Sequence, residues 1–208
     1  MRITLIGPGD FEYHFYELMG WTKEKLKAEI NILVEALVKK DVEVALLPDR
    51  GISLEIAKLY KEKGGRKVVA LVPQDDEDFG IKHLQPYLQL EVDGKKLFDE
   101  IINTGNWYKH DMTMTLFGDK LLMLGNSLGT MGELTYGFYI YKLFQRHKKG
   151  VEVLNKDIHP DIRIGKDSEF AAFLYKPFFK QKLSPELEDY IEKTGGKLFY
   201  LEKISELS

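Results

Sequence analysis

Short, continuous apolar runs alternate with amphipathic stretches along most of this chain. Residues 2–6, 42–47, 67–72, 99–103 and 120–124 each read as a strand buried on both faces. Between the first two runs, Leu26, Ile30, Leu33 and Leu37 recur at helical spacing and predict an amphipathic helix over roughly residues 22–40. Pro48-Asp49-Arg50-Gly51 then turns into a helix near residues 53–63, which Gly64-Gly65 ends. Residues 106–117 and 131–144 read as two further helices. Residues 150–154 read as a sixth strand, and residues 88–97 as a hairpin or excursion around Asp93-Gly94. Ser184-Pro185-Glu186 is a good helix start, with a capping serine and proline at the first position. That helix ends at Gly195-Gly196, before a last short strand over residues 197–201. Such β-α-β-α-β alternation predicts a mostly parallel sheet covered by helices, in one domain over residues 1–208.

Chemistry concentrates where one strand hands over to a helix. Leu121 to Leu124 form the apolar strand, Gly125-Asn126-Ser127 a turn of small residues, and Met131 onward the helix. In a parallel sheet this junction lies at the carboxyl end of a strand, where ligands bind. Small side chains let a ligand approach the backbone of Asn126, Ser127, Leu128 and Gly129, and the helix start offers N–H groups to an anion. Thr130 either caps the helix or touches a phosphate. Glu133 lies one turn in and faces the same crevice. Gly7-Pro8-Gly9, after the first strand, resembles the start of a dinucleotide fingerprint. The third glycine of that fingerprint is Glu12 here, so only Asp49, at the end of the second strand, answers its acidic cue. No Gly-Lys pair is followed by Ser or Thr, which excludes a Walker phosphate loop, and no His-Glu-x-x-His motif is present.

The composition narrows the class further. A net charge of −3 over 208 residues gives no basic field for nucleic acid. No apolar run approaches the roughly 18 residues of a membrane helix, and the apolar stretch after Arg2 is too short for a signal peptide. The absence of cysteine excludes disulfides and thiolate metal sites. A cytoplasmic protein with no metal and no bound cofactor is the expectation.

Gly129-Thr130-Met131-Gly132-Glu133 resembles the Gly-Thr-x-x-Glu half of the Pro-Gly-Gly-x-Gly-Thr-x-x-Glu motif of the lonely-guy family. Members of that family are Rossmann-like proteins, often labelled lysine decarboxylases, and include cytokinin-activating nucleotide phosphoribohydrolases. Other pieces fall in register. Asp119 matches the acidic residue opening the motif strand, and Asn103-Thr104-Gly105 resembles the polar turn after strand four. Gly51-Ile52-Ser53, Gly64-Gly65 and residues 68–73 resemble the glycine turn, the helix end and the strand closing in proline; residues 149–155 resemble the next strand. The match spans roughly residues 43–155. It implies a single Rossmann-like α/β domain with a ligand at the combined edge of strands one, two, four and five. It also implies a homodimer or higher oligomer built on the motif helix, and metal-free hydrolysis of an N-glycosidic bond if there is catalysis.

The departures are equally specific. Gly125-Asn126-Ser127 stands where the family has Pro-Gly-Gly, and the position of its catalytic arginine falls on His110, beside Lys109. The sequence therefore points to a protein that binds a nucleotide or phosphosugar, with nucleoside 5′-monophosphate phosphoribohydrolase activity as the alternative. Glu133 and His110 are the candidate catalytic groups: Glu133 as a base or electrostatic stabiliser, or else a helix-dipole partner; His110 as a phosphate cation or acid–base group, or else a half-exposed helix residue. The candidate ligand-binding residues are Gly7, Pro8, Gly9, Asp49, Arg50, Gly51, Thr104, Gly105, Lys109, Asn126, Ser127, Leu128, Gly129 and Thr130. The aromatics from Phe11 to Trp21 are either a stacking lid or packing on the core or a subunit contact. Asp75-Asp76-Glu77-Asp78 reads as a solvated loop rather than a cation site. Tyr136, Phe138, Tyr139, Tyr141 and Phe144 read as core and subunit interface. His83, His147 and His159 have no ligand spacing and receive no role.

Overall fold

The structure, a computed structural model, describes residues 1–77, 80–146 and 170–207. Among the described residues seven parallel strands form its sheet: β1 (Arg2–Ile6), β2 (Glu43–Leu46), β3 (Lys67–Val72), β6 (Glu100–Asn103), β7 (Lys120–Met123), β8 (Ala171–Tyr175) and β9 (Lys197–Leu201). Their spatial order is β6-β3-β2-β1-β7-β8-β9. The chain thus builds outward from β1 through β2 and β3 to β6, then returns to lay β7 on the free side of β1. Two short strands, β4 (Glu91–Val92) and β5 (Lys95–Lys96), make the small antiparallel hairpin expected around Asp93-Gly94. Both turn residues adopt positive φ, 51° and 71°, as a tight two-residue hairpin turn requires.

The connecting helices are α1 (Lys23–Lys39), α2 (Ile52–Glu62), α3 (Gln85–Leu88), α4 (Trp107–Phe117), α5 (Leu128–Arg146) and α6 (Pro185–Glu192). α1 packs on α2 and α4 on α5. Because parallel crossovers are right-handed, reversing the direction of winding at β1 puts these two pairs on opposite faces of the sheet. Caps set the helix starts: Thr22, Asn106 and Ser184 each accept a hydrogen bond from the backbone N–H three residues on. The α1 positions expected to face inward, Leu26, Ile30, Leu33 and Leu37, are all buried.

Three features depart from the sequence pattern. α5 begins at Leu128 rather than near residue 131, because Ser127 caps it. The strand beside β7 is Ala171–Tyr175, buried at every position; the strand expected over residues 150–154 lies outside the described residues. The segment after β1 folds as a seven-residue π-helix, Glu12–Leu18, that buries His14 and Phe15.

The two turns beside β1 cross at close quarters. Gly51 has φ +127°, and a Cβ there would lie 2.6 Å from the Pro8 carbonyl oxygen and 2.7 Å from Gly9 Cα. A Cβ on Gly7 would lie 2.3 Å from Ile52 Cγ2. The Ile52 N–H donates to the Pro8 carbonyl at 3.1 Å and closes the crossing. Gly51→Ala meets both strain and overlap and should lower unfolding free energy by about 2–4 kcal/mol. Gly20→Ala, at φ +67° with nothing within 4 Å, carries strain alone and should cost about 1 kcal/mol. Urea denaturation of the two variants measures the difference.

Candidate functional site

The reversal in strand order between β1 and β7 opens the sheet edge there, as such a switch point does in other parallel sheets. A crevice of about 210 Å³ lies at the carboxyl ends of β1, β2 and β7. Gly7 and Gly9 line it from the β1 turn, Asp49, Arg50 and Gly51 from the β2–α2 turn, and Ser127, Gly129, Thr130 and Glu133 from the start of α5. Each of these was a candidate on sequence grounds. Ser53, on α2, and Met114, on α4, also line it and were not. Ser53 carries the same signal as Thr130, a hydroxyl just inside a helix that follows a strand and a glycine turn.

The remaining candidates lie outside the lining. Pro8 accepts the Ile52 hydrogen bond, Leu128 is 96% exposed, and Asn126 keeps a buried Oδ1 with no hydrogen-bond partner. Thr104, Gly105, Lys109 and His110 cluster instead beyond β6. There the Thr104 hydroxyl pairs with His110 Nδ1 at 2.9 Å, Gly105 accepts from the Asp75 N–H, and Lys109 is exposed. The end of β6, expected from sequence to join the ligand edge as the fourth strand, therefore contributes nothing to the crevice wall.

Backbone geometry makes the crevice receptive to anions. Two helices, α2 and α5, begin on it, and the first N–H groups of a helix have no partners within that helix. Ser127 and Thr130 brace the α5 start reciprocally: Ser127 Oγ accepts from the Thr130 N–H at 3.2 Å, and Thr130 Oγ1 accepts from the Ser127 N–H at 2.7 Å. Thr130 thus closes the turn. Ser53 Oγ is buried with no hydrogen-bond partner. The Arg50 guanidinium, on an exposed residue, makes no ion pair among the described residues and is the cation nearest at hand on the lining.

Burial governs the titrating groups. His110 is fully buried on α4 and its Nε2 has no partner, so desolvation lowers its pKa to about 3 and it is neutral at physiological pH. It offers no charge to a phosphate. Glu133 is half-buried, and desolvation, with the Asp111 carboxylate on α4 as second cause, raises its pKa to about 8. Asp111 is itself raised by burial.

Gly125-Asn126-Ser127-Leu128-Gly129 also spells Gly-x-Ser-x-Gly at a strand-to-helix junction, the setting of a hydrolase nucleophile. The geometry does not follow the letters. Among the described residues only Asp41 and Asp93 adopt positive φ without being glycine, so Ser127 is not held in a strained turn. Its Oγ caps α5, and among the described residues no histidine is bonded to it.

His14 and Phe15 pack inward, Tyr13 stays exposed, and no residue from Phe11 to Trp21 lines the crevice. Phe15 lies edge-on to Phe178 at 5.0 Å and tilted on Trp21 at 5.4 Å. His14 Nε2 pairs with the Phe178 carbonyl at 2.9 Å and sits against Gly125, where a Cβ would lie 2.6 Å from it. In the acidic run, Asp75 accepts from Asn103 and Asp76 from the N–H groups of Gly80 and Trp107, while Asp78 lies outside the described residues. Among the described residues no cluster of potential ligands could hold a metal ion, and no helix is long and apolar enough to cross a membrane.

No family's sequence model and no curated protein matches this chain. Solved structures match it in fold. A molybdenum cofactor carrier protein from Chlamydomonas reinhardtii aligns with a TM-score of 0.53 at 16% identity, over 98% of this chain and 90% of that one. The molybdenum cofactor binding protein of the phototrophic bacterium Rippkaea orientalis aligns with a TM-score of 0.55 at 14% identity, over 98% and 90%. A structural-genomics target, TM1055, gives 0.56 at 12%, over 99% and 95%. Such identities establish the fold and nothing finer: a Rossmann-like α/β domain, as the motif resemblance implies.

The buried imidazole has a signature in stability. Unfolded, His110 gains a proton near its ordinary pKa of 6.5; folded, it resists protonation down to about 3. The unfolded state therefore binds more protons in that window, and stability is lost as pH falls from 6.5 toward 3. Between pH 7 and pH 5 this amounts to roughly 2 kcal/mol. Urea unfolding of His110→Gln should show a correspondingly shallower loss than wild type over the same interval.

Proposed function

We propose that the crevice binds a phosphorylated small molecule, a nucleotide or phosphorylated ribosyl compound, and holds it without cleaving it. The observation that carries this reading is the meeting of two helix N-termini with the unpartnered Ser53 hydroxyl and the Arg50 guanidinium on one small crevice. A phosphate satisfies all of them at once: N–H groups, a hydroxyl donor and a guanidinium fork. At about 210 Å³ the crevice is smaller than a typical pocket for a whole ligand, about 300–1,000 Å³, so it suits a phosphate and part of a sugar with the remainder over the rim. Holding rather than cleaving agrees with the neutral, enclosed His110 at the position of the family's arginine. It also agrees with fold neighbours named as carrier and binding proteins of a cofactor.

The second reading, N-glycosidic hydrolysis, rests on Glu133. Its carboxyl lines the crevice, and a pKa near 8 suits proton donation to a leaving base. Two measurements separate the readings. AMP or ADP-ribose at about one hundred times its dissociation constant should add about 2.7 kcal/mol of stability, seen as a raised Tm. Arg50→Ala and Ser53→Ala should each shrink that shift. Chromatography of a nucleotide panel should detect no free base from wild type; release that Glu133→Gln abolishes would favour the hydrolase. An unchanged Tm at millimolar ligand across the panel would overturn binding, and native mass spectrometry of the purified protein identifies any ligand it carries.

The reading includes a homodimer built on α5. Tyr136, Tyr139 and Leu143 are exposed at helical spacing on the face of α5 turned from its core residues Leu134, Phe138 and Tyr141. Light scattering at micromolar concentration should report about twice 24.1 kDa, and Tyr139→Glu should return the single-chain mass.

A further inference from the structure

We propose that the opposite end of the sheet carries a second binding site, which takes a small aromatic carboxylate with its head group between Lys120 and Lys197 and its ring on the Phe173–Phe199 pair. The site is separate from the crevice. It lies where β7, β8 and β9 begin, in a cavity of about 460 Å³ that shares no lining residue with the crevice. That volume falls within the usual range for a small-molecule pocket, about 300–1,000 Å³.

Strand register builds the cavity. Ala171 pairs with Lys197 and Phe173 with Phe199, and the pairing of Leu121 with Ala172 brings Lys120 level with Ala171. Alternate residues of a strand share a face. One face of β7, β8 and β9 therefore opens with the row Lys120–Ala171–Lys197 and continues with Phe173 and Phe199. The backbones of the two lysines stand about 9.5 Å apart across the sheet, and the short alanine between them leaves room above it. The two phenylalanine rings stack at 5.1 Å with 18° between their planes. Phe199 is still 41% exposed, because β9 ends the strand order. The crossover helix α6 does not cover this face: its Glu188 accepts a hydrogen bond from the Tyr200 hydroxyl, and Tyr200 alternates to the other side of β9.

The lining sets the class of ligand. The cavity runs from the lysine row over the phenylalanines to Leu201, four residues along β9 or about 13 Å. Its middle is aromatic, and a flat ring system gains most there, by area and by ring geometry together. Charge sits at the two ends. The Lys120 ammonium lies 5.1 Å from the centroid of the Phe173 ring and makes no ion pair among the described residues. Lys197 flanks the same opening. Glu206 lines the far end, where its Oε2 accepts from the Glu202 N–H at 3.0 Å. An anionic head group is thus drawn to the lysine row and repelled from the C-terminal turn, which fixes the direction in which a ligand lies. In contrast to the crevice, no helix begins on this cavity, so side-chain ammonium groups rather than backbone N–H groups meet the anion.

Amide NMR of the full chain during titration with naphthoate tests the site. Saturable shifts are expected at Ala171, Phe173, Phe199 and Leu201, with none at Ser127 or Gly129. Naphthamide, which keeps the rings and loses the charge, should bind about tenfold more weakly. Lys120→Gln should weaken naphthoate by about the same factor and leave naphthamide unaffected. Phe199→Ser, at an exposed position where the fold tolerates the change, should weaken both about tenfold. Shifts that fail to saturate at millimolar naphthoate, or that centre on the crevice, overturn the proposal. Equal affinity for naphthoate and naphthamide, or naphthoate binding indifferent to Lys120→Gln, overturns it too, because the lysine row then does not read the anion. Broadening of the β9 amides with protein concentration alone makes this edge an interface between copies of the chain, and likewise overturns it.

Discussion

The crossing of the Gly7–Gly9 turn over Gly51 is the constraint on which the crevice edge of this domain depends. Two backbones pass there with less room than a methyl group needs, 2.6 Å from a would-be Gly51 Cβ to the Pro8 oxygen. That approach seats the first turn of α2 directly beside the end of β1, through the Ile52–Pro8 hydrogen bond. Side chains at these positions would push α2 outward, and Ser53 with it, so the wall holding the unpartnered hydroxyl would separate from the wall made by α5. Glycine here is a matter of contact distance as much as of φ, and it serves the site rather than the core. A comparable contact supports the opposite wall, where His14 rests on Gly125 and ties the turn before α5 to the carbonyl of Phe178. Both walls are therefore braced from behind by packed structure.

Charge at this edge is carried mainly by backbone. Helix starts supply positive potential without burying an ion, whereas a buried imidazole or carboxylate must give up its charge to be accommodated. His110 and Glu133 illustrate the same physics with opposite sign: desolvation keeps the first unprotonated and the second protonated. The exposed Arg50 escapes this penalty because its guanidinium reaches the rim. A residue's place in a family motif says where its backbone lies; burial then decides whether it has a charge to use.

Much of the fold was legible because parallel strands and amphipathic helices leave local signatures. β1 and β3 fall on the residues their apolar runs mark, Ser184 caps its helix as its place before Pro185 predicts, and Thr22 and Asn106, expected as helix starts, prove to be caps. β8 was not anticipated although its residues are uniformly apolar; an apolar run gives no neighbour, and only the three-dimensional pairing of Leu121 with Ala172 places it beside β7. The site was legible as an edge, not as a set of contacts. The switch point selects β1, β2 and β7, so Gly7, Arg50 and Glu133 come together while Thr104 and Lys109, on the far side of β3, do not. Sequence spacing cannot show that exclusion, because it depends on strand order. The Gly-x-Ser-x-Gly spelling at Ser127 makes the complementary point: the same letters serve a nucleophile on a strained turn or a cap on a relaxed one, and backbone angles decide.

Binding and hydrolysis ask opposite things of the same carboxyl. Stabilising an oxocarbenium-like state needs a negative charge next to the sugar, present before the bond breaks. Holding a phosphate at two helix starts needs that charge absent, since an anion beside the site opposes another. In this crevice burial, with the Asp111 carboxylate as a second cause, raises the Glu133 pKa to about 8, and the position that would supply a compensating arginine holds a buried neutral histidine. A cation beside Glu133 would lower its pKa, restore the carboxylate and hold the phosphate at the same time, so one group would serve both demands. Without it the two demands conflict, and that conflict is the physical ground of the proposal that a ligand here would be held rather than cleaved.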